Sequence, residues 1–229
     1  MSPAGGACRA AAGHGPPHTP PVAGKLITLE GSEGAGKTLH AGRLAEALAA
    51  RGHRARLTRE PGGTRLGEQI RSIVLARGSD GGESIDARAD ALLFNAARAQ
   101  LVAEVIQPAL AAGEIVVSAR FADSTLAYQG YGAGLPLDDL RAIASVATGG
   151  LMPDLTILLD VSPEVGLGRK ADEARNRFEA AFDLDFHRRV RDGFLELAGQ
   201  EPARWRIVDA GRDADAVFAD VVGAALAIL

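Results

Sequence analysis

From Lys25 onward the 229-residue chain alternates short apolar runs with longer stretches of helical periodicity, and this alternation restricts its fold more than any other feature. Leu26-Ile27-Thr28-Leu29, Arg54–Thr58, Ile115-Val116-Val117, Leu155–Val161 and Arg206-Ile207-Val208-Asp209 read as strands. Leu44, Ala45 and Leu48 share a helical face, and Leu66, Ile70, Ile73 and Val74 mark another at three- and four-residue spacing. A long helical pattern runs from about Asp86 to Ala112, interrupted near its end by Pro108. Phe182, Phe186, Val190, Phe194 and Leu197 stripe a later helix, while Ser162-Pro163 and Asp213 are helix starts. Five strands separated by helices imply an α/β fold: a five-stranded parallel sheet covered by helices on both faces. Ligands of such sheets sit beyond the carboxyl ends of the strands, so the residues that follow each strand carry the most functional weight.

No internal repeat or linker follows residue 24, so residues 25–229 are expected to form a single domain. Residues 1–24 hold alanine, glycine, proline and histidine without periodic apolar pattern, and read as a flexible tail lacking the apolar segment of a signal peptide. With 47% hydrophobic and 24% charged residues the composition is that of a globular protein. A net charge of −4 argues against a broad nucleic-acid surface, so any anionic ligand must be met by local positive charge. No apolar run approaches the about 20 residues that span a bilayer. The lone Cys8 precludes an internal disulfide framework and suits a reducing compartment, so the expected location is the cytoplasm, with neither membrane nor nucleic-acid partners.

Gly31-Ser32-Glu33-Gly34-Ala35-Gly36-Lys37-Thr38 matches G-x-x-x-x-G-K-[ST] and stands between a strand and a helix, as that phosphate-binding loop requires. Its glycines let successive N–H groups point at phosphate oxygens, with the positive end of a helix behind them. Lys37 can reach the β- and γ-phosphates of a nucleoside triphosphate, and the Thr38 hydroxyl can ligate Mg²⁺. The motif implies ATP or another triphosphate as ligand and is silent about what receives the phosphate.

Four further segments address the acceptor. Thr58-Arg59-Glu60-Pro61-Gly62-Gly63-Thr64, Leu93-Phe94-Asn95-Ala96-Ala97-Arg98, Asp123-Ser124-Thr125-Leu126-Ala127-Tyr128-Gln129-Gly130 and Pro153–Val161 resemble, in order, the motifs of thymidylate kinases. The resemblance runs from about Lys25 to the end. It implies a P-loop NTPase fold with a mobile lid, at about 168–179, and transfer of phosphate from ATP to dTMP with Mg²⁺, giving dTDP. Arg59 and Arg120 each follow a strand, where positive charge must meet an acceptor dianion, and by similarity hold the dTMP phosphate. Phe94 and Arg98 lie four apart on one helical face; by resemblance the aromatic stacks on thymine and the arginine donates to its O4. Gln129 and Tyr128 are expected to complete the nucleoside pocket, the tyrosine crowding a ribose 2′-hydroxyl, and Glu33 to accept from the 3′-hydroxyl. Taken singly, Phe94 reads as core, Tyr128 as a packing aromatic, Gln129 as a surface amide, Glu33 as a loop carboxylate, and Arg59 and Arg98 as solvated charges. Their joint occurrence beside the phosphate loop favours the binding reading.

The phosphate loop has no arginine at its variable positions, which resembles the bacterial branch, where lid arginines supply transition-state charge. Arg177 fits that place best, with Arg175 and Arg169 beside it. Asp209-Ala210-Gly211 resembles the loop that lines adenine, and the family implies a homodimer formed by helix packing. One departure stands out: the family has Asp-Arg after the third strand, where this chain has Ala119-Arg120. The aspartate holds Mg²⁺ or its water in many phosphate-loop proteins, and alanine can do neither. The difference is a natural divergence, an engineered inactivation, or a substitution that Glu33 or Asp160 covers; binding of both nucleotides is expected, and the rate of turnover is in doubt. The alternatives to a dTMP kinase are therefore another nucleoside monophosphate kinase or a nucleotide-binding protein of reduced activity.

Overall fold

A computed structural model describes residues 24–76, 85–169 and 182–229 of the chain. Its strands are β1 (Lys25–Glu30), β2 (Ala55–Arg59), β3 (Ile115–Ala119), β4 (Leu155–Asp160) and β5 (Trp205–Asp209). They form one parallel sheet in the order β2-β3-β1-β4-β5. The expected strands are thus present, with boundaries that differ by a residue or two. The helices are α1 (Lys37–Ala49), α2 (Arg65–Val74), α3 (Ala87–Leu101), α4 (Gln107–Ala111), α5 (Ala122–Thr125), α6 (Leu137–Thr148), α7 (Pro163–Arg169), α8 (Leu184–Gln200) and α9 (Ala214–Leu226).

Alternation along the strands builds two cores, because successive side chains of a strand point to opposite faces. Ile27, Leu29, Val117, Ile157 and Leu159 pack with Leu44 and Leu48 of α1 and Val217 and Val221 of α9. On the other face Leu26 and Val116 meet Leu101 and Ile106, and Leu158 joins Phe186, Val190 and Phe194 of α8. The long helical pattern is one continuous path, but Pro108 does not break it locally. Instead α3 passes into a π-helical stretch at Val102–Ile106 before α4. Proline removes one backbone donor, and a wider turn before it re-pairs the neighbouring carbonyls.

Two capping expectations hold. Asp213 accepts from the backbone N–H groups of Asp215 and Ala216, and Pro163 opens α7. Phe182 lies just before α8 rather than in it, stacked on Phe186 at 4.0 Å. Gly24, assigned to the tail on sequence, is instead held by a hydrogen bond from its N–H to the Leu110 carbonyl. Among the described residues no helix is long and apolar enough to cross a membrane.

Candidate active site

β1 lies centrally between β3 and β4, so the segments after these three strands meet at one edge of the sheet. There a cleft of about 400 Å³ is lined by residues from the phosphate loop, the segment after β2, α2, α3, the segment after β3, and α7. Its floor is the loop Gly31–Thr38. Lys37 is buried and its Nζ donates to the Gly31 and Ser32 carbonyls at 2.9 and 2.7 Å, which folds the lysine over the loop. Gly34 has φ +73°, and a Cβ there would lie 1.8 Å from the Gly166 carbonyl oxygen. Only glycine lets the loop seat against the first turns of α7, where Gly166 is equally constrained by the Glu33 carbonyl at 2.2 Å. Gly36 caps α1, and Thr38 stands exposed in its first turn and lines the cleft.

Across the cleft Arg120 is the one described non-glycine residue with positive φ, 74°. This conformation is costly for a side chain with a Cβ and is held by its surroundings. Its N–H donates to the Leu29 carbonyl. Its guanidinium ion-pairs with Glu33 and donates to Tyr128 Oη at 3.2 Å and Ser124 Oγ at 3.2 Å. Burial opposes its charge, but Tyr128, Glu33 and Glu30 outweigh burial and keep it protonated. Tyr128 Oη donates in turn to Glu33 Oε1 at 2.9 Å, and burial pushes the phenol well above its ordinary range. The geometry of Arg120 rests on Glu30, whose carboxylate accepts from Phe121 N–H at 2.7 Å and Ser124 Oγ at 2.6 Å.

The remaining wall belongs to α3. Phe94 is half-buried and lines the cleft. Arg98 is only 1% exposed, so it is not the solvated charge that its type alone suggests. It pairs with buried Glu60 at 2.8 Å and donates to Asn95 Oδ1, the Phe121 carbonyl and Thr125 Oγ1 at 2.8, 3.1 and 3.0 Å. Burial raises the Glu60 carboxyl although Arg98 pulls it down. Gln129 is buried too, its Nε2 donating to Asp90 Oδ2 at 3.0 Å. Arg59 reaches the cleft while half-exposed and paired with Glu68 at 3.1 Å.

The cleft therefore brings together Glu33, Gly34, Gly36, Lys37, Thr38, Arg59, Phe94, Arg98, Arg120, Tyr128, Gln129 and Arg169 of the residues singled out by sequence. Arg169 donates to the Ala210 carbonyl at 2.9 Å, linking α7 to the segment after β5. Arg175 and Arg177, and most of the expected lid, lie outside the described residues. Ala119 lines the cleft as Thr38 does, and offers it only a methyl group. Of the two proposed substitutes, Glu33 is engaged with Arg120 and Tyr128, and Asp160 is held by Arg191 through 2.7 and 2.8 Å bonds.

The family model for thymidylate kinase matches residues 29–221. The chain belongs to the thymidylate kinase family. A thymidylate kinase of Deinococcus radiodurans is 52% identical over 199 residues, covering 86% of this chain and 94% of that one. That of Desulforudis audaxviator is 49% identical over 194 residues, covering 84% and 86%. A crystal structure of thymidylate kinase from Ehrlichia chaffeensis superposes with a TM-score of 0.72 at 30% identity, over 87% of this chain and 97% of that one.

Several members of this thymidylate kinase cleft had no role assigned on sequence. Arg71 lines it from α2, half-buried and donating to the Pro61 carbonyl at 2.9 Å. Thr125 lines it beside Arg98. Glu60, Glu30 and Asp90 hold the lining side chains from behind, and Glu60 also lines the cleft itself. The signal for Arg71 and Asp90 was helical spacing from residues already singled out; Glu60 and Thr125 stood inside quoted motifs. Asp123, in the same motif as Tyr128, instead turns away to a buried pair with Arg204 at 2.7 Å.

Proposed function

We propose that the protein transfers the γ-phosphate of ATP to dTMP, giving ADP and dTDP, as befits its family. The observation that carries this reading is a single cleft with a phosphate loop on one side and, facing it, two arginines beside a polar-backed aromatic wall. The loop N–H groups and Lys37 suit the triphosphate, and Arg59 and Arg120 suit the acceptor dianion, with Arg71 adding charge. Phe94, Arg98 and Gln129 suit a base with both a hydrogen-bond donor and acceptors. Glu33 and Tyr128, which also line the cleft, would face the sugar. Arg169, together with Arg175 and Arg177, would supply charge to the transferring group, and Asp209-Ala210-Gly211 would line adenine. Phosphoryl transfer asks little covalent chemistry of a protein, so positioning and electrostatics carry the rate, with no covalent enzyme intermediate.

Magnesium fits this site in a sparse form. Among the described residues no group of three His, Cys, Asp or Glu side chains could cage a metal. Mg²⁺ keeps waters and binds phosphate oxygens, so one protein oxygen, that of Thr38, is compatible with it. When bound it would neutralise phosphate charge at the transferring group.

A coupled ADP-release assay with dTMP, dUMP, dCMP and dGMP tests the assignment. dTMP should be used best, and dUMP roughly five- to tenfold less well, because one enclosed methyl contributes on the order of 1 kcal/mol. Faster turnover of dCMP or dGMP would refute the acceptor. Ala119 favours a second reading, a nucleotide-binding protein of reduced activity, which predicts calorimetric binding of both nucleotides with little ADP release. The family also suggests a homodimer in the cytoplasm. In support of a dimer, Ile73, Leu92 and Val146 are exposed on α2, α3 and α6, which pack side by side.

A further inference from the structure

Asp90, Phe94 and Arg98 follow one another at four-residue spacing on one face of α3, but only Phe94 and Arg98 line the cleft. Asp90 is buried behind them, 4% exposed, and takes the hydrogen bond from Gln129 Nε2 at 3.0 Å. Gln129 Nε2 is the donor and Asp90 Oδ2 the acceptor, which sets the amide with its NH₂ toward Asp90 and its carbonyl oxygen on the other side. Gln129 itself lines the cleft, so that oxygen is what the amide offers to a base. Asn95, the neighbouring amide, is committed elsewhere, its Nδ2 to the Ala91 carbonyl and its Oδ1 to Arg98. Arg98 offers only N–H groups. The wall thus presents one donor and one acceptor, each fixed by a buried carboxylate, Glu60 for Arg98 and Asp90 for Gln129.

A 4-oxopyrimidine carries the complement, an O4 acceptor and an N3–H donor. A 4-aminopyrimidine carries the reverse, an N4 donor and an N3 acceptor. We propose that Asp90 is a positioning residue that locks the Gln129 amide, so that the site admits 4-oxopyrimidine monophosphates and rejects 4-aminopyrimidine ones. The proposal rests on the acceptor reading above. Without the lock Gln129 rotates about its terminal bond and offers NH₂ to the N3 of cytosine. With it, that rotation sets the amide oxygen against a buried carboxylate, which is strongly unfavourable.

The test measures dTMP, dUMP and dCMP by calorimetric Kd and coupled-assay kcat/KM on the full chain. The proteins are the wild type, Asp90→Asn, Gln129→Ala and the double variant. Asparagine is nearly isosteric and can donate to Gln129 Oε1, which releases the lock. The dTMP-to-dCMP ratio should fall by at least about tenfold in Asp90→Asn, through Kd and KM more than kcat. The dTMP-to-dUMP ratio should hold, since neither group reads the 5-methyl. In the Gln129→Ala background Asp90→Asn should change the ratio no further, which a merely structural aspartate does not predict. An unchanged ratio in folded Asp90→Asn, or an equal drop with Gln129 absent, overturns the proposal. Should Asp90→Asn fail to fold by thermal melting, Asp90→Ser removes the same fixed acceptor and takes its place. A wild type that prefers dTMP in binding without turning it over sinks the kinase reading alone, and the binding ratios then decide the proposal. A wild type that binds dTMP and dCMP equally sinks the proposal and the acceptor assignment together.

Discussion

Truncating Arg98 removes the ion-pair partner of a buried carboxyl as well as the donor proposed for the base. The Arg98–Glu60 pair is 1% and 4% exposed, and breaking such a pair by deleting one side typically costs about 3–5 kcal/mol. Arg98→Ala should therefore lower the unfolding free energy by about that much in urea denaturation, beyond the loss of dTMP use expected from the base role alone. The double change Arg98→Met with Glu60→Leu should recover most of the stability and none of the dTMP affinity; recovered affinity would remove Arg98 from the base site. Ala119 poses the opposite case, a group missing from the cleft. Since Glu33 and Asp160 are already engaged, Ala119→Asp should raise kcat by roughly ten- to a thousandfold, the usual size of one restored electrostatic contact. Steady-state kinetics over varied Mg²⁺ checks this, and an equally folded variant with no gain at any concentration would show that the metal is organised without a carboxylate there.

Between elements, the decisive joint runs from the end of β1 to the turn after β3. Glu30 ties the two by accepting from Phe121 N–H and Ser124 Oγ, and Ser124 in turn accepts from Arg120. Burial, with a smaller contribution from Asp123, raises the Glu30 carboxyl from 4.5 to about 7. A carboxyl raised in the folded state holds its proton when the unfolded chain has lost it. The stability this group contributes is thus complete below about pH 4.5 and is lost as pH rises through about 7. The shift corresponds to about 3 kcal/mol. Relative to Glu30→Gln, the wild type should lose about that much stability between pH 4.5 and 7.5 in urea titrations. A difference that does not vary with pH would mean that Glu30 ionises normally.

For the whole molecule, the sheet order gathers the cleft at one edge and leaves apolar side chains exposed on the outer helices. Val146 is 85% exposed on α6, next to the helix that carries Leu92. Exposed apolar side chains on adjacent helices fit an isologous interface, since a twofold dimer presents the same patch twice. The chain should sediment as a dimer at micromolar concentration, and Val146→Glu with Leu92→Glu should shift it to monomer without unfolding it. A wild type that is monomeric at every concentration would set aside the dimer.

The strands, their parallel pairing and the phosphate loop were legible in the chain itself, because each depends on local pattern: two-residue alternation along strands, helical spacing, and glycines between a strand and a helix. Many of the residues facing the cleft were legible as well, since they follow a strand or stand four apart on a helix, whereas Arg71 and Thr125 were not singled out. Hidden was the set that holds them from behind. Glu60 meets Arg98 across 38 positions, Glu30 meets Ser124 across 94, and Asp90 meets Gln129 across 39. No local pattern marks such pairs. Each is a buried charge or amide that only close packing of distant elements can supply with a partner, and only the tertiary structure decided which partner that was.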